Sequence, residues 1–143
     1  MKYILYIFSI CFTLVANNSI SADLSVLITG IKINEGNVGC ALFNIENRDS
    51  FPMHFEQAEL VKLPAKYDEA KCLFTNIENG KYAISVFNDK NNNNKIETNI
   101  FGAPKEDWGV SNNVRHSLKP PTFEEASFEI KDSNVTMKIN LDN

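Results

Sequence analysis

Five residues in the middle of the chain follow a spacing that is typical of loops that bind a hard divalent cation. Asp89, Asn91 and Asn93 stand at alternate positions, and Lys95 and Glu97 continue the same spacing. Alternate residues of a tight loop direct oxygen atoms to one centre, and calcium takes about six to eight oxygen ligands. The pattern matches the first part of the calcium-loop consensus D-x-[DN]-x-[DN]-G. The sequence therefore predicts calcium as a cofactor, held by these side chains and by the Lys95 carbonyl.

The same segment has a second interpretation, as an asparagine-rich turn that binds no ion. Asn94 occupies the sixth position, where the calcium loop needs a positive φ, and asparagine tolerates that conformation. Ile100 occupies the twelfth position, where an EF-hand has a bidentate glutamate. The affinity should therefore be weak unless another carboxylate closes the shell, and the candidates are Asp68, Glu106 and Asp107. Asparagine amides can instead hydrogen-bond their own backbone, so both interpretations stay open.

The segment from residue 98 to residue 122 holds the residues that would serve other functions. A hydrolase would use the carboxylates of Glu106 and Asp107 or the imidazole of His116. Trp108 is the residue that would present a flat aromatic platform to a ligand. The chain has neither an H-E-x-x-H nor a G-x-S-x-G motif. We therefore expect a non-catalytic binding or accessory module, with a periplasmic hydrolase or a carbohydrate-binding module as the alternative.

Cys40 and Cys72 allow two interpretations. An even number of cysteines in an oxidising compartment favours a disulfide between them. Both residues also lie in apolar runs, where a free buried thiol is common. The sequence leaves both interpretations open.

The first residues have the features of an export signal. Lys2 supplies a positive start, residues 4–16 form an apolar run, and small residues suit cleavage after Ser21 or Ala22. A membrane anchor needs about 20 apolar residues, and this run is shorter. We therefore predict a signal peptide over residues 1–22, no membrane anchor after its cleavage, and a periplasmic or secreted location.

The charge of the remaining chain limits its partners. The full chain has a formal net charge of -4, and removal of the single positive charge of Lys2 takes it to -5. An acidic domain without a basic run repels phosphate backbones, so we expect no nucleic acid partner. We expect a monomer, with an unidentified protein or glycan as partner.

Apolar and polar residues alternate along six segments, which predicts six strands. These segments are residues 23–33, 38–45, 72–75, 82–87, 126–130 and 135–141. Turn sequences at residues 35–37, 78–80 and 132–134 predict hairpins between them. A helix-poor chain of this kind buries its apolar faces between two stacked sheets. We predict a single all-β domain over residues 23–143, an antiparallel β-sandwich that is immunoglobulin-like or transthyretin/prealbumin-like.

Two segments do not alternate. Residues 48–69 are expected to form a short helix or an edge strand that ends at Pro64. Residues 89–122 exceed the length of about 12–15 residues beyond which loops are usually functional or disordered. Aromatic residues and prolines within this second segment favour an ordered loop that packs on the domain.

Several runs of sequence resemble one bacterial family. The runs are GKYAISVFND at residues 80–89, TNIFGAPKE at residues 98–106, WGVSNN at residues 108–113 and PPTFEEA at residues 120–126. They are similar to the family called domain of unknown function 2141, and the similarity extends over essentially the whole chain after the signal peptide. The resemblance implies an exported β-sandwich of unknown activity, and it brings no assigned catalytic residue.

The chain departs from the family pattern at three positions. The family typically has a histidine where this chain has Asn88, a glycine at Asn94 and an aspartate at Glu97. The asparagine at position 88 weakens any interpretation as a metal site that needs a nitrogen ligand, whereas the pattern of acids and amides is retained.

Overall fold

The computed structural model describes residues 21–100, 102 and 104–141. Residues 1–20 of the predicted signal peptide lie outside the described residues, whereas Ser21 and Ala22 begin the first strand. Over the part of the chain that is described, no helix is both long and apolar enough to cross a membrane.

Strands make up most of the regular structure. They are β1 (Ser21–Ile31), β2 (Asn37–Asn44), β3 (Glu59–Pro64), β4 (Asp68–Glu78), β5 (Gly80–Asp89), β6 (Trp108–Val110), β7 (Phe128–Ile130) and β8 (Val135–Asn140). Single 3₁₀ turns occupy Arg48–Ser50, Phe55–Gln57 and Ser111–Asn113, and the short helix α1 occupies Phe123–Ala126. The prediction of an all-β chain is confirmed.

The strands form two sheets that enclose the main apolar core. One sheet has the order β4-β1-β8, and the other has the order β3-β2-β5-β6, with β7 also paired to β5. Leu24, Val26 and Ile28 of β1 pack in the same buried cluster as Ile84 and Val86 of β5. The residues that alternate in the sequence therefore face each other between the sheets, and the predicted β-sandwich is confirmed.

The predicted hairpin turns connect strands of different sheets. The turns at residues 35–37, 78–80 and 132–134 each lead from a strand of one sheet to a strand of the other. The hairpin prediction is wrong because a tight turn followed by alternation does not specify which strand becomes the partner. Two of these turns are joined to each other, since the Asp132 N–H donates to Asn79 Oδ1 at 2.9 Å.

The first strand lies at the centre of its sheet. β1 pairs antiparallel with β4 and parallel with β8. This parallel pair departs from the expected antiparallel arrangement, and it forms because the chain crosses between the sheets before β8. Gly30 ends the regular pairing of β1 at a φ of +81°, where a Cβ atom would lie 2.5 Å from the Leu141 carbonyl oxygen.

The non-alternating segment of residues 48–69 contains both of the expected elements. Its 3₁₀ turn at Phe55–Gln57 buries Phe55, whose ring stacks on Phe87 of β5 at a centroid distance of 4.1 Å. The strand β3 follows at the edge of its sheet, where it pairs with β2 alone, and it ends at Pro64. Proline lacks the backbone N–H that would continue the pairing, which explains the end of the strand.

A disulfide joins the two sheets. Cys40 of β2 is bonded to Cys72 of β4, with the two Cα atoms 6.6 Å apart. Both residues are fully buried in the main core. The bond therefore fixes the distance between the sheets from within the core.

Loss of this cross-link should destabilise the domain. Replacing both cysteines with alanine should lower the free energy of unfolding by about 3–4 kcal/mol, because the bond closes a loop across a sequence separation of 32. Urea denaturation of the variant and of the untreated protein measures the difference. The protein treated with a reductant serves as a second comparison, and an unchanged midpoint in both cases would contradict this structural role.

Candidate cation-binding loop

The loop of residues 89–97 starts from the buried carboxylate of Asp89, the last residue of β5. The side chain is only 1% exposed. Its Oδ1 accepts a hydrogen bond from the Asn93 N–H at 3.0 Å, and its Oδ2 accepts one from the Asn94 N–H at 2.8 Å. The loop therefore folds back over the end of β5 and surrounds this carboxylate.

Two asparagine side chains of the loop meet at Glu97. Its Oε1 accepts hydrogen bonds from Nδ2 of Asn91 at 2.9 Å and from Nδ2 of Asn93 at 3.2 Å. The amide oxygens of these asparagines accept from the backbone, Asn91 Oδ1 from the Asn93 N–H and Asn93 Oδ1 from the Lys95 N–H. The structure thus brings the predicted side chains of Asp89, Asn91, Asn93 and Glu97 into one hydrogen-bonded loop.

The backbone of the loop has the conformation that its spacing requires. Asn94 has a φ of 63°, as expected for the sixth position of a calcium loop, and Asn92 has a φ of 58°. Asparagine is one of the few residues other than glycine that adopt this conformation at modest cost. Lys95 has an exposed side chain. Ile96 is buried in a second apolar cluster, which lies on the face of β5 that points away from the main core.

Residues outside the loop hold it in place. Gly36 packs so closely on the start of the loop that a Cβ atom there would lie 2.0 Å from the Asp89 carbonyl oxygen. Asn37 donates a side-chain hydrogen bond to Asn92, and Lys62 of β3 donates one to Asn94. The sequence analysis identified residues 35–37 only as a turn, and nothing in their local pattern indicates a contact with this loop.

Two neighbouring carboxylates, those of Glu106 and Asp107, lie buried beside the loop. Asp107 forms ion pairs with Lys32 at 3.1 Å and with Lys90 at 3.5 Å. Glu106 Oε1 accepts a hydrogen bond from the Lys90 N–H at 3.1 Å, and Glu106 Oε2 has no hydrogen-bond partner among the described residues. Burial raises the pKa of Glu106, and the negative charges of Asp89 and Glu97 raise it further. Hydrogen bonds from backbone N–H groups act in the opposite direction and offset part of this rise. The two carboxylates therefore differ in their partners, since lysine ammonium groups contact Asp107 and a backbone N–H contacts Glu106.

The other sequence candidates lie apart from this arrangement. Asp68 is exposed at the start of β4, in the opposite sheet. Asn88 is fully buried next to Asp89, but successive residues of a strand face opposite sides of the sheet. Within the described residues, no group of three or more histidine, cysteine, aspartate and glutamate side chains is arranged to hold a metal ion. The other oxygens of the candidate loop are those of its amides and backbone carbonyls.

Trp108 forms the wall of a separate cavity. Trp108 is half-buried in β6, and the guanidinium of Arg115 lies 5.1 Å from the centre of its ring. The cavity has a volume of about 520 Å³, and its lining includes Met53, Pro104 and Leu118. The Trp108 ring is thus shared between the cavity and a cation–π contact.

The residues proposed for a hydrolase are engaged in unrelated contacts. His116 Nε2 lies 3.0 Å from Glu125 Oε1, and Glu125 also belongs to the N-terminal capping box of α1 with Thr122. The hydrogen bonds from the Thr122 backbone and side chain lower the pKa of Glu125 to about 2. Asp107 is paired with lysines and Glu106 with the loop backbone, so these two carboxylates contact the loop, whereas His116 contacts Glu125 of α1.

The fold and the loop together define a class of protein, a disulfide-linked β-sandwich whose fifth strand leads into an asparagine-rich loop. Residues 26–138 match the family described as "Uncharacterized protein conserved in bacteria (DUF2141)". The match covers most of the chain, and the protein belongs to this family. Neither the curated proteins nor the solved structures include a significant match to the chain.

The positive φ of Asn94 leads to a test of the loop conformation. Asn94→Gly should leave the stability unchanged or raise it slightly, whereas Asn94→Ala should lower the free energy of unfolding by about 1 kcal/mol relative to the glycine variant. Both variants remove the contact with Lys62, so their difference isolates the backbone effect. Thermal and urea unfolding measure it, and equal stability of the two variants would contradict a left-handed residue at this position.

Proposed function

We propose that this protein is an exported, non-catalytic binding or accessory module whose loop of residues 89–97 binds calcium. The ligands are the side chains of Asp89, Asn91, Asn93 and Glu97 and the carbonyl of Lys95. The observation that carries the proposal is the convergence of the Asn91 and Asn93 amides on Glu97, next to the buried carboxylate of Asp89. Calcium prefers such a set of carboxylate, amide and carbonyl oxygens.

The hydrogen bonds of the loop are compatible with an ion. Each amide oxygen has two lone pairs, so Asn91 Oδ1 and Asn93 Oδ1 can keep their backbone hydrogen bonds and also bind a cation. The ion replaces the amide N–H groups as the partner of Glu97. The two formal negative charges of Asp89 and Glu97 suit a weak site of about 10⁻⁴–10⁻³ M, which is the range used by extracellular modules.

Two further observations support export. The N-terminal sequence has the positive start, the apolar run and the small residues of a signal peptide. The Cys40–Cys72 disulfide fits an oxidising compartment such as the periplasm or the extracellular space. Residues 23–143 therefore constitute the proposed mature domain, with an unidentified protein or glycan as its partner.

Calcium should stabilise the folded domain. Because only the native state holds the ligands together, 10 mM calcium, roughly 10- to 100-fold above the expected dissociation constant, should add about 1–3 kcal/mol to the free energy of unfolding. Glu97→Gln should remove most of this gain, while Glu46→Gln, an exposed control elsewhere, should keep it. Thermal melts in calcium, magnesium and chelator provide the measurement. Identical melting temperatures in calcium and in chelator would leave the loop as a turn without an ion.

A second candidate function is the binding of a glycan at the Trp108 cavity. The half-buried indole, the volume of about 520 Å³ and the neighbouring Arg115 and His116 resemble the mixed apolar and polar lining of ligand sites. Most residues that line the cavity lie in the segment of residues 98–122, which the sequence analysis proposed for a carbohydrate-binding module or a hydrolase.

Ligand entry into this cavity should change the environment of Trp108, the single tryptophan of the chain. Soluble cell-wall glycans should shift or quench the tryptophan emission in a saturable way. Leu118→Asp, on the exposed wall of the cavity, should weaken the response by about tenfold or more. The exposed Leu73→Asp in β4 is the matched control, and an emission that is insensitive to every glycan would rule out this use of the cavity.

A further inference from the structure

Glu106 has a buried carboxylate oxygen that needs a partner. The residue is 4% exposed, and its Oε2 makes no hydrogen bond with the described residues. Buried polar atoms are almost always paired, because an unpaired one loses its contacts with water without replacement. A buried carboxylate therefore usually meets a cationic side chain or a metal ion.

The nearby lysines do not meet this need. The ammonium groups of Lys32 and Lys90 both bind Asp107, at 3.1 Å and 3.5 Å. The contact of Lys90 with Glu106 is made by its backbone N–H, which donates a hydrogen bond to Oε1. The backbone N–H of Glu97 also acts on the Glu106 carboxylate, but Oε2 makes no hydrogen bond of normal geometry with the described residues.

The surroundings of Glu106 point toward the cation-binding loop. Glu106 Oε1 accepts from the Lys90 N–H at 3.1 Å, and the neighbouring Lys105 N–H donates to the Glu97 carbonyl at 2.7 Å, so Glu106 lies beside both ends of the loop. The charges of Asp89 and Glu97 both act on Glu106. Asp89 is itself 1% exposed, which reduces the screening of this negative charge by water. Two of these carboxylates, those of Asp89 and Glu106, are buried, whereas Glu97 is exposed. A bound cation would offset the repulsion between the two buried negative charges.

We propose that Glu106 is the additional ligand that closes the calcium site, in the role that the glutamate at position 12 plays in an EF-hand. This inference rests on the proposed function of the loop. The described carboxylates are not already arranged around one centre that could hold a metal ion. Ion binding therefore requires Glu106 Oε2 and the Glu97 carboxylate to move toward a common centre. Asp107 keeps its ion pairs with Lys32 and Lys90, and these contacts hold the backbone next to Glu106 in place.

The proposal also connects the loop to the residues that lead into β6. Glu106 lies two residues before the start of β6, and its Oε1 already holds the second residue of the loop. A shared ion would connect residues 89–97 to β6 and would place three formal negative charges around calcium. A higher charge count raises the affinity of such sites.

Calcium titration of a Glu106→Gln variant tests the assignment. The amide oxygen of glutamine can still accept from the Lys90 N–H, so the fold should be retained while the charge is lost. By isothermal titration calorimetry, calcium binding to this variant should be at least about tenfold weaker than to the unmodified protein. Glu46→Gln, which removes an exposed charge elsewhere, should bind calcium as the unmodified protein does.

The number of water molecules on the ion separates ligation from a purely structural role. Europium(III), used as a luminescent substitute for calcium, reports this number through its lifetimes in H2O and D2O. Glu106→Gln should add about one water molecule or two, because a carboxylate supplies one or two oxygens. If this variant does not fold, Glu106→Asp, which keeps the charge but withdraws it, should weaken calcium binding by about threefold or more.

The outcomes distinguish the two proposals. If the unmodified protein binds no calcium, the proposed function fails, and the assignment of Glu106 fails with it. If the unmodified protein binds calcium while the Glu106 variants show the same affinity and the same number of bound waters, only the assignment of Glu106 is overturned. Weaker binding together with added water supports both.

Discussion

The burial of β5 on both faces is the constraint on which the rest of the structure depends. One face of this strand contributes Ile84 and Val86 to the core between the sheets, and the other contributes Ala83 and Phe87 to a second cluster. β5 also pairs with β2 along one edge and with β6 and β7 along the other. Because β5 is packed on both faces and paired along both edges, its last residue, Asp89, has a fixed position. The loop that follows therefore starts from a rigid position, as a preorganised binding site requires.

Local sequence patterns predicted the parts of the fold that depend on local contacts. Alternation identified six of the eight described strands because side chains at alternate positions face the same side of a strand. It missed β3, which lies in a non-alternating segment, and β6, whose three residues lie in the segment that was predicted to be a loop. The end of β3 at Pro64 and the positive φ of Asn94 follow from the chemistry of single residues. The choice of partner strands was not predictable in this way. The parallel pairing of β1 with β8 and the sheet-crossing turns depend on contacts between distant parts of the chain.

The candidate site shows the same division. The contacts among Asp89, Asn91, Asn93 and Glu97 lie within one loop, so spacing alone was sufficient to group these residues. Glu106 and Asp107 were equal candidates in the sequence because they are adjacent and both acidic. Their separation arises from Lys32, which lies far away in sequence and binds only Asp107. A pattern within a segment contains no information about such a partner.

The central place of β1 in its sheet has a consequence for how the molecule is made. Its two neighbours are β4 and β8, and the contact between Asp23 and Asn134 spans 111 positions of sequence. The sheet cannot be completed until residues 135–140 are available to pair, and pairing across such separations slows folding. Until then one edge of β1 has no neighbouring strand, and an unpaired strand edge can pair with another chain. The arrival of β8 therefore protects this sheet from association with other molecules.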